Sequence, residues 1–225
     1  MANAVNSAQY QARLREAGAL FEKRNFTRRQ TINLSGGYEI VKDAYRLGAT
    51  SFSGGEYTLF DARKMQIISW RCIDDRAEFF SLIRHADGKF YLVFHQDLYG
   101  YSALDLASAQ IMRFVPDAWL DGKESFIWGG VHYLRDWDAL AVDGCYWGAP
   151  NGVHLVSFAE PMSEEQRYVD VLDCMQGGYD IYEQADFAGF EGNELSLKCF
   201  RADTLRYENI KISRERYREW MCESK

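Results

Sequence analysis

Tyr57-Thr58-Leu59-Phe60-Asp61, followed by Gln66-Ile67-Ile68-Ser69-Trp70, recurs 44 residues later as Tyr101-Ser102-Ala103-Leu104-Asp105, followed by Gln110-Ile111-Met112-Arg113-Phe114. The two copies align without a gap. A period of about 40–45 residues is the size of one four-stranded β unit of the kind that builds repeat arrays. Such arrays serve chiefly as interaction scaffolds. The repeat therefore constrains the architecture strongly and names neither a partner nor a reaction.

The rest of the chain reads in the same terms. From Ile32 onward short apolar runs alternate with turn signals, and glycine pairs fall at Gly36-Gly37, Gly54-Gly55, Gly129-Gly130 and Gly177-Gly178. Ala86-Asp87-Gly88-Lys89 predicts a hairpin before Phe90-Tyr91-Leu92-Val93-Phe94. Weaker copies of the repeat start at Val153 and Leu195, the latter with Thr204-Leu205-Arg206-Tyr207 as its outer strand. The aromatic content of 15% and only 3 prolines against 18 glycines favour β structure over a helical bundle. Helices are predicted at both ends. Tyr10, Leu14, Ala17 and Phe21 recur at helical spacing behind Ser7 as N-cap, and Tyr217, Trp220 and Met221 form one face behind Ser213.

The hydrophobic run that ends in Asp61, and again in Asp105, together with the strand after it, resembles the WD-type β-propeller repeat over roughly residues 38–210. The Gly-His dipeptide of that family is absent, and no Trp precedes either Asp. The resemblance implies a mainly β fold of about four propeller-like antiparallel blades. The expected organisation is a helical arm over 1–30, a β repeat body over 31–212 and a C-terminal helix over 213–225. Four blades are few for a closed ring. Without closure, the terminal helices or a second copy in a homodimer must cover the edges.

Charge is uneven. The net charge is −7 overall, with +4 in residues 1–30, +2 in 201–225 and −13 in 31–200. An acidic body disfavours nucleic acid and suits a basic protein partner, although acidity alone also serves solubility. The first 25 residues lack an apolar core, no run approaches a membrane span, and the 5 cysteines show no paired spacing. These features predict neither secretion nor membrane association, and reduced thiols in a cytoplasmic setting. The sequons at Asn25 and Asn33 are then chance matches.

No phosphate-binding, dinucleotide, zincin or serine-hydrolase motif occurs, so no catalytic set, metal or cofactor is assigned. The residues that could carry binding are His95 and Asp97, which share one face if they lie on a strand, and an aromatic group of Trp128, His132, Tyr133, Trp137, Tyr146 and Trp147. Each has a plain structural alternative: loop satisfaction for the first pair, core packing for the rings. Cys145 would need a basic neighbour such as His154 to act as a nucleophile, and otherwise is core. Asp136 and Asp138 flank Trp137 and would share a strand face, whereas adjacent acids such as Asp74-Asp75 read as solvated turn caps. The leading expectation is a non-enzymatic protein-binding module, in one version an immunity protein that neutralises a basic toxin or effector. The alternative is a carbohydrate-binding or carbohydrate-active protein using the rings and a carboxylate pair.

Overall fold

A computed structural model describes residues 2–48 and 52–223, apart from the side chains of Trp119 and Glu223. Strands make up 48% of the described residues. They form four antiparallel sheets that follow one another in sequence. The first contains β1 (Phe26–Asn33), β2 (Glu39–Arg46), β3 (Ser53–Phe60) and β4 (Gln66–Cys72). The second contains β5 (Phe80–Arg84), β6 (Phe90–His95), β7 (Tyr101–Asp105) and β8 (Gln110–Phe114). The third contains β9 (Ile127–Leu134), β10 (Ala139–Cys145), β11 (Asn151–Ser157) and the short β12 (Tyr168–Asp170). The fourth has three strands, β13 (Tyr182–Glu191), β14 (Glu194–Arg201) and β15 (Arg206–Ser213). In every sheet the chain runs up and down between neighbours.

The sequence repeat now has a physical meaning. Tyr57 pairs across the ladder with Trp70, and Tyr101 with Phe114. The first pair stacks at 5.2 Å between ring centroids and the second lies at 5.7 Å. Cross-strand aromatic pairs are a unit of sheet stabilisation. The two Asp residues make the turn that follows. Asp61 Oδ1 accepts from the N–H groups of Arg63 and Met65, and Asp105 Oδ1 accepts from that of Ala107. Such side-chain turns favour Asp over most residues. The weaker copies at Val153 and Leu195 fall on β11 and β14, which precede the last strand of their sheets as β3 and β7 do.

Three hydrophobic clusters join consecutive sheets. Ile40, Tyr57, Leu59 and Trp70 of the first meet Leu92, Phe94 and Leu104 of the second. Tyr91, Val93, Tyr101 and Ala103 of the second meet Leu140, Val142 and Val156 of the third. Ala139, Ala141, Val153 and Leu155 of the third meet Leu195, Leu197 and Cys199 of the fourth. Alternate residues of β6 and β10 thus feed two different cores. That is why the middle strands read as continuous apolar runs, with β7 buried throughout, whereas β3 and β14 alternate. None of the three clusters joins the fourth sheet to the first.

The termini depart from expectation in detail. The N-terminal helix α1 spans Ala8–Glu16, with Ser7 Oγ accepting from the Tyr10 N–H, and 3-10 stretches follow over Ala17–Phe21 and Lys23–Asn25. β1 begins at Phe26, inside the stretch expected to be helical. Its residues are mostly exposed, so an edge strand lacks the apolar alternation that would have revealed it. Two four-residue helices, α2 (Val171–Cys174) and α3 (Gly178–Ile181), lead into the fourth sheet. The last helix, α4 (Arg214–Glu223), docks Tyr217 and Trp220 on the third-to-fourth core, with Tyr217 stacked on Trp137 at 5.2 Å. The ends of the expected arms, Met1 and 224–225, lie outside the described residues.

Candidate functional site

The up-and-down path gathers four connections at one end of the second and third sheets: 73–79, 96–100, 115–126 and 146–150. Two open clefts lie there. One, of about 560 Å³, includes Arg13, Asp74, Arg76, Tyr99 and Lys123 in its walls. The other, of about 700 Å³, runs over Leu98, Ile127, Gly129 and Gly144. Trp147 lines both and forms the ridge between them. It is 60% exposed. The Arg76 guanidinium lies 4.9 Å over its ring, and Asp74 grips that guanidinium through two hydrogen bonds of 2.8 and 2.6 Å. Stacking on an indole face and a bidentate carboxylate use both recognition modes of arginine. Asp74 is itself buried.

The same connection is tied to the first sheet. Lys42 of β2 is buried, and its Nζ pairs with Asp75 at 2.7 Å and with Glu78. Ser53 donates to Asp75, and the Tyr57 hydroxyl donates to Glu78. Burial pulls the Lys42 pKa down, but the two carboxylates outweigh it and raise it above the ordinary value. Burial likewise pushes Asp75 up, and Lys42 and Ser53 bring it below the usual carboxylate range. The adjacent acids, Asp74 buried and Asp75 partly buried, are therefore paired anchors that engage different partners, not solvated caps.

His95 and Asp97 separate. β6 ends at His95, whose ring is within hydrogen-bond distance of the Tyr57 hydroxyl at 3.2 Å. Asp97, in the loop beyond, accepts from the Tyr10 hydroxyl and from the Ile73 N–H. This pins α1 to the loop end. Burial lowers the His95 pKa to about 4 and raises that of Asp97 to about 6. His95 faces the interior, whereas Asp97 also lines the first cleft, so the two do not share one face.

The aromatic residues fall into three places. Trp128 and Tyr146 lie at the loop end, Trp128 stacked on Tyr101 at 4.2 Å and Tyr146 against Phe126 at 5.4 Å, beside the exposed Trp147. His132 is on β9 and bonds Asp143 at 2.8 Å while stacking on Phe187. Tyr133 donates to Asp138 and accepts from the Ala86 N–H. Trp137 is buried under α4 and donates to Asn193. Asp136 and Asp138 do not share a strand. They sit on a 3-10 turn that ends with Asp138 at φ 49°. His154 is sandwiched between Phe126 and Tyr168, and Asp170 lies 3.4 Å from its Nε2, so the ring is engaged apart from Cys145.

Sequence reasoning missed Arg76 and Lys42, because Arg76 stacks on Trp147 of a different connection and Lys42 pairs with acids that lie beyond its own sheet. The only local signal was the Asp74-Asp75-Arg76 run itself. Among the described residues no group of three or more His, Cys, Asp or Glu side chains could hold a metal ion, and no helix is long and apolar enough to cross a membrane. No known protein family matches the chain, and no curated protein matches it.

Proposed function

We propose that the chain is a non-enzymatic polypeptide-binding scaffold whose contact surface is the loop end around Trp147. One observation carries this reading: a 60% exposed indole is held in place by a guanidinium that is itself fixed by a buried carboxylate. Trp and Arg are the residue types that most often anchor protein interfaces, and rigid anchors lose little entropy on binding. The clefts on either side of Trp147 would receive side chains of the partner. The formal charge of −7 favours a basic partner. Neutralisation of a basic toxin or effector is the specific version of this function. The consecutive up-and-down sheets, with the repeat falling each time on the strand before the last, support reading the body as propeller-like blades that present their loops at one end.

The test is affinity capture from native lysate at low and high salt, comparing wild type with Trp147→Ala. The expected result is a salt-sensitive partner retained by the wild type and lost by the variant, with stability changed by less than about 0.5 kcal/mol, as for exposed positions generally. The same partners on both proteins would remove Trp147, and with it this reading of the surface.

A further inference from the structure

A narrow chamber lies between the second and third sheets, beside the first cleft, and Tyr99 lines both. Its closed space is about 40 Å³, room for about three water-sized groups. Seven of its twelve lining residues carry phenyl, phenol or indole rings, and none is Asp, Glu, Lys or Arg. Besides His154 Nε2, which faces Asp170 at 3.4 Å, three buried oxygens in this wall have no hydrogen-bond partner: Tyr101 Oη, Ser125 Oγ and Gln166 Oε1. Tyr101 and Ser125 are each only 2% exposed. The Gln166 amide is oriented by its Nε2, which donates to the Ser163 carbonyl at 2.8 Å and leaves Oε1 as an acceptor. Orphaned buried polar atoms are rare in folded proteins, and three around one space point to a ligand that completes them.

We propose that this chamber binds the head of an unbranched primary alkylammonium, supplied by a small amine or by a lysine side chain. An ammonium carries three N–H donors and no acceptor. It matches an acceptor-only amide oxygen and two hydroxyls that can both turn to accept. Its tip, –CH2–CH2–NH3⁺, has the size of the closed space. Trp128 is already stacked on Tyr101 and Phe79, and Tyr168 on His154, so the three oxygens rather than ring faces carry the recognition. A carboxylate stands behind the wall, since Asp170 lies 3.4 Å from His154 Nε2. Burial pushes Asp170 up, but His154 and Tyr179 hold it below the usual carboxylate range. A neutral alcohol would satisfy fewer of the oxygens, and a quaternary ammonium would offer no donor and exceed the space.

Titration calorimetry, with amide NMR spectra as a check of folding, tests this with n-butylammonium, 1-butanol and tetramethylammonium. The expected result is saturable binding of n-butylammonium, about tenfold or more tighter than either control. Gln166→Glu should tighten n-butylammonium about tenfold and Gln166→Met should weaken it, because position 166 is only half buried and both variants keep the fold. Equal affinity for Nα-acetyl-lysine amide would assign a polypeptide source, and binding of n-butylammonium alone a free amine. No saturable binding, equal binding of 1-butanol, or no tightening in Gln166→Glu would overturn the proposal. Trp147→Ala should leave amine binding unchanged, so this inference and the partner reading fail separately.

Discussion

Replacing Lys42 by Met tests the anchoring of the loop end most directly. Met keeps most of the apolar stem and removes the ammonium. The side chains of Lys42, Asp75 and Glu78 are 7%, 11% and 22% exposed, so the variant strands two carboxylates in a poorly hydrated place. Breaking a buried ion pair from one side costs about 3–5 kcal/mol. Ser53 and Tyr57 still donate to the carboxylates, which places the expected loss near the lower end, about 3 kcal/mol. With a urea slope of about 2 kcal/mol/M, the unfolding midpoint should fall by about 1.5 M. The pH dependence gives the sharper test. In the wild type Asp75 has a depressed pKa, so its contribution is full above the unfolded value and is lost as pH falls through the folded one. In the variant the two carboxylates repel and are desolvated without compensation, so the folded state takes up a proton more readily than the unfolded chain. The deficit should therefore be largest near pH 7 and shrink towards pH 4. Adding Asp75→Asn and Glu78→Gln should recover most of it at pH 7. A deficit below about 1 kcal/mol, or one that does not change with pH, would refute the account of Lys42 as a buried counter-ion.

Two further outcomes follow from groups already placed. Burial lowers His95 to about 4 and raises Asp97 to about 6. Between pH 4 and 6.5 the unfolded chain binds the proton that His95 refuses, so His95 makes stability rise with pH, by about 3 kcal/mol in all. Between about pH 3.8 and 6 the folded state holds the proton on Asp97, so that group makes stability fall with pH. Urea titrations across this range should show the slope becoming less positive in His95→Phe and more positive in Asp97→Asn, and shifts of the same sign would contradict both assignments. For the backbone, a Cβ at Gly178 would stand 1.6 Å from the Leu172 carbonyl oxygen, whereas one at Gly18 meets nothing within 4 Å. Thermal unfolding should show Gly178→Ala destabilised by more than about 3 kcal/mol and Gly18→Ala within about 1 kcal/mol of wild type.

What was legible in the sequence was whatever local chemistry decides. Tyr57 and Tyr101 recur because each faces an aromatic partner one strand away, and Asp61 and Asp105 recur because each closes the same kind of turn. Ser7 and Ser213 were readable as caps, since each accepts from the N–H three residues on. The site was not readable in this way. Arg76 meets Trp147, and Lys42 meets Asp75 and Glu78, only after different sheets have stacked. Asp136 and Asp138 misled because a two-residue spacing implies one face only on a strand, and Asp138 instead adopts a left-handed turn conformation. β1 was hidden because exposure on both faces removes the period that marks a strand.

The connection 73–79 joins these observations into one mechanical argument. It crosses from the first sheet to the second, and its acids engage different partners: Asp75 and Glu78 the buried Lys42, Asp74 Arg76 and through it Trp147. Beneath it, the Ile73 N–H donates to Asp97, which also accepts from Tyr10 of α1. A loop held at both ends and from below cannot swing as a free surface loop would, so the exposed indole it supports is positioned by the core. The middle sheets supply the stiffness, because cores on both faces leave them no free side towards which to relax. The N-terminal helix therefore belongs mechanically to the loop end. Loosening the Tyr10–Asp97 contact should disturb the Arg76–Trp147 ridge through the Ile73 N–H that Asp97 holds.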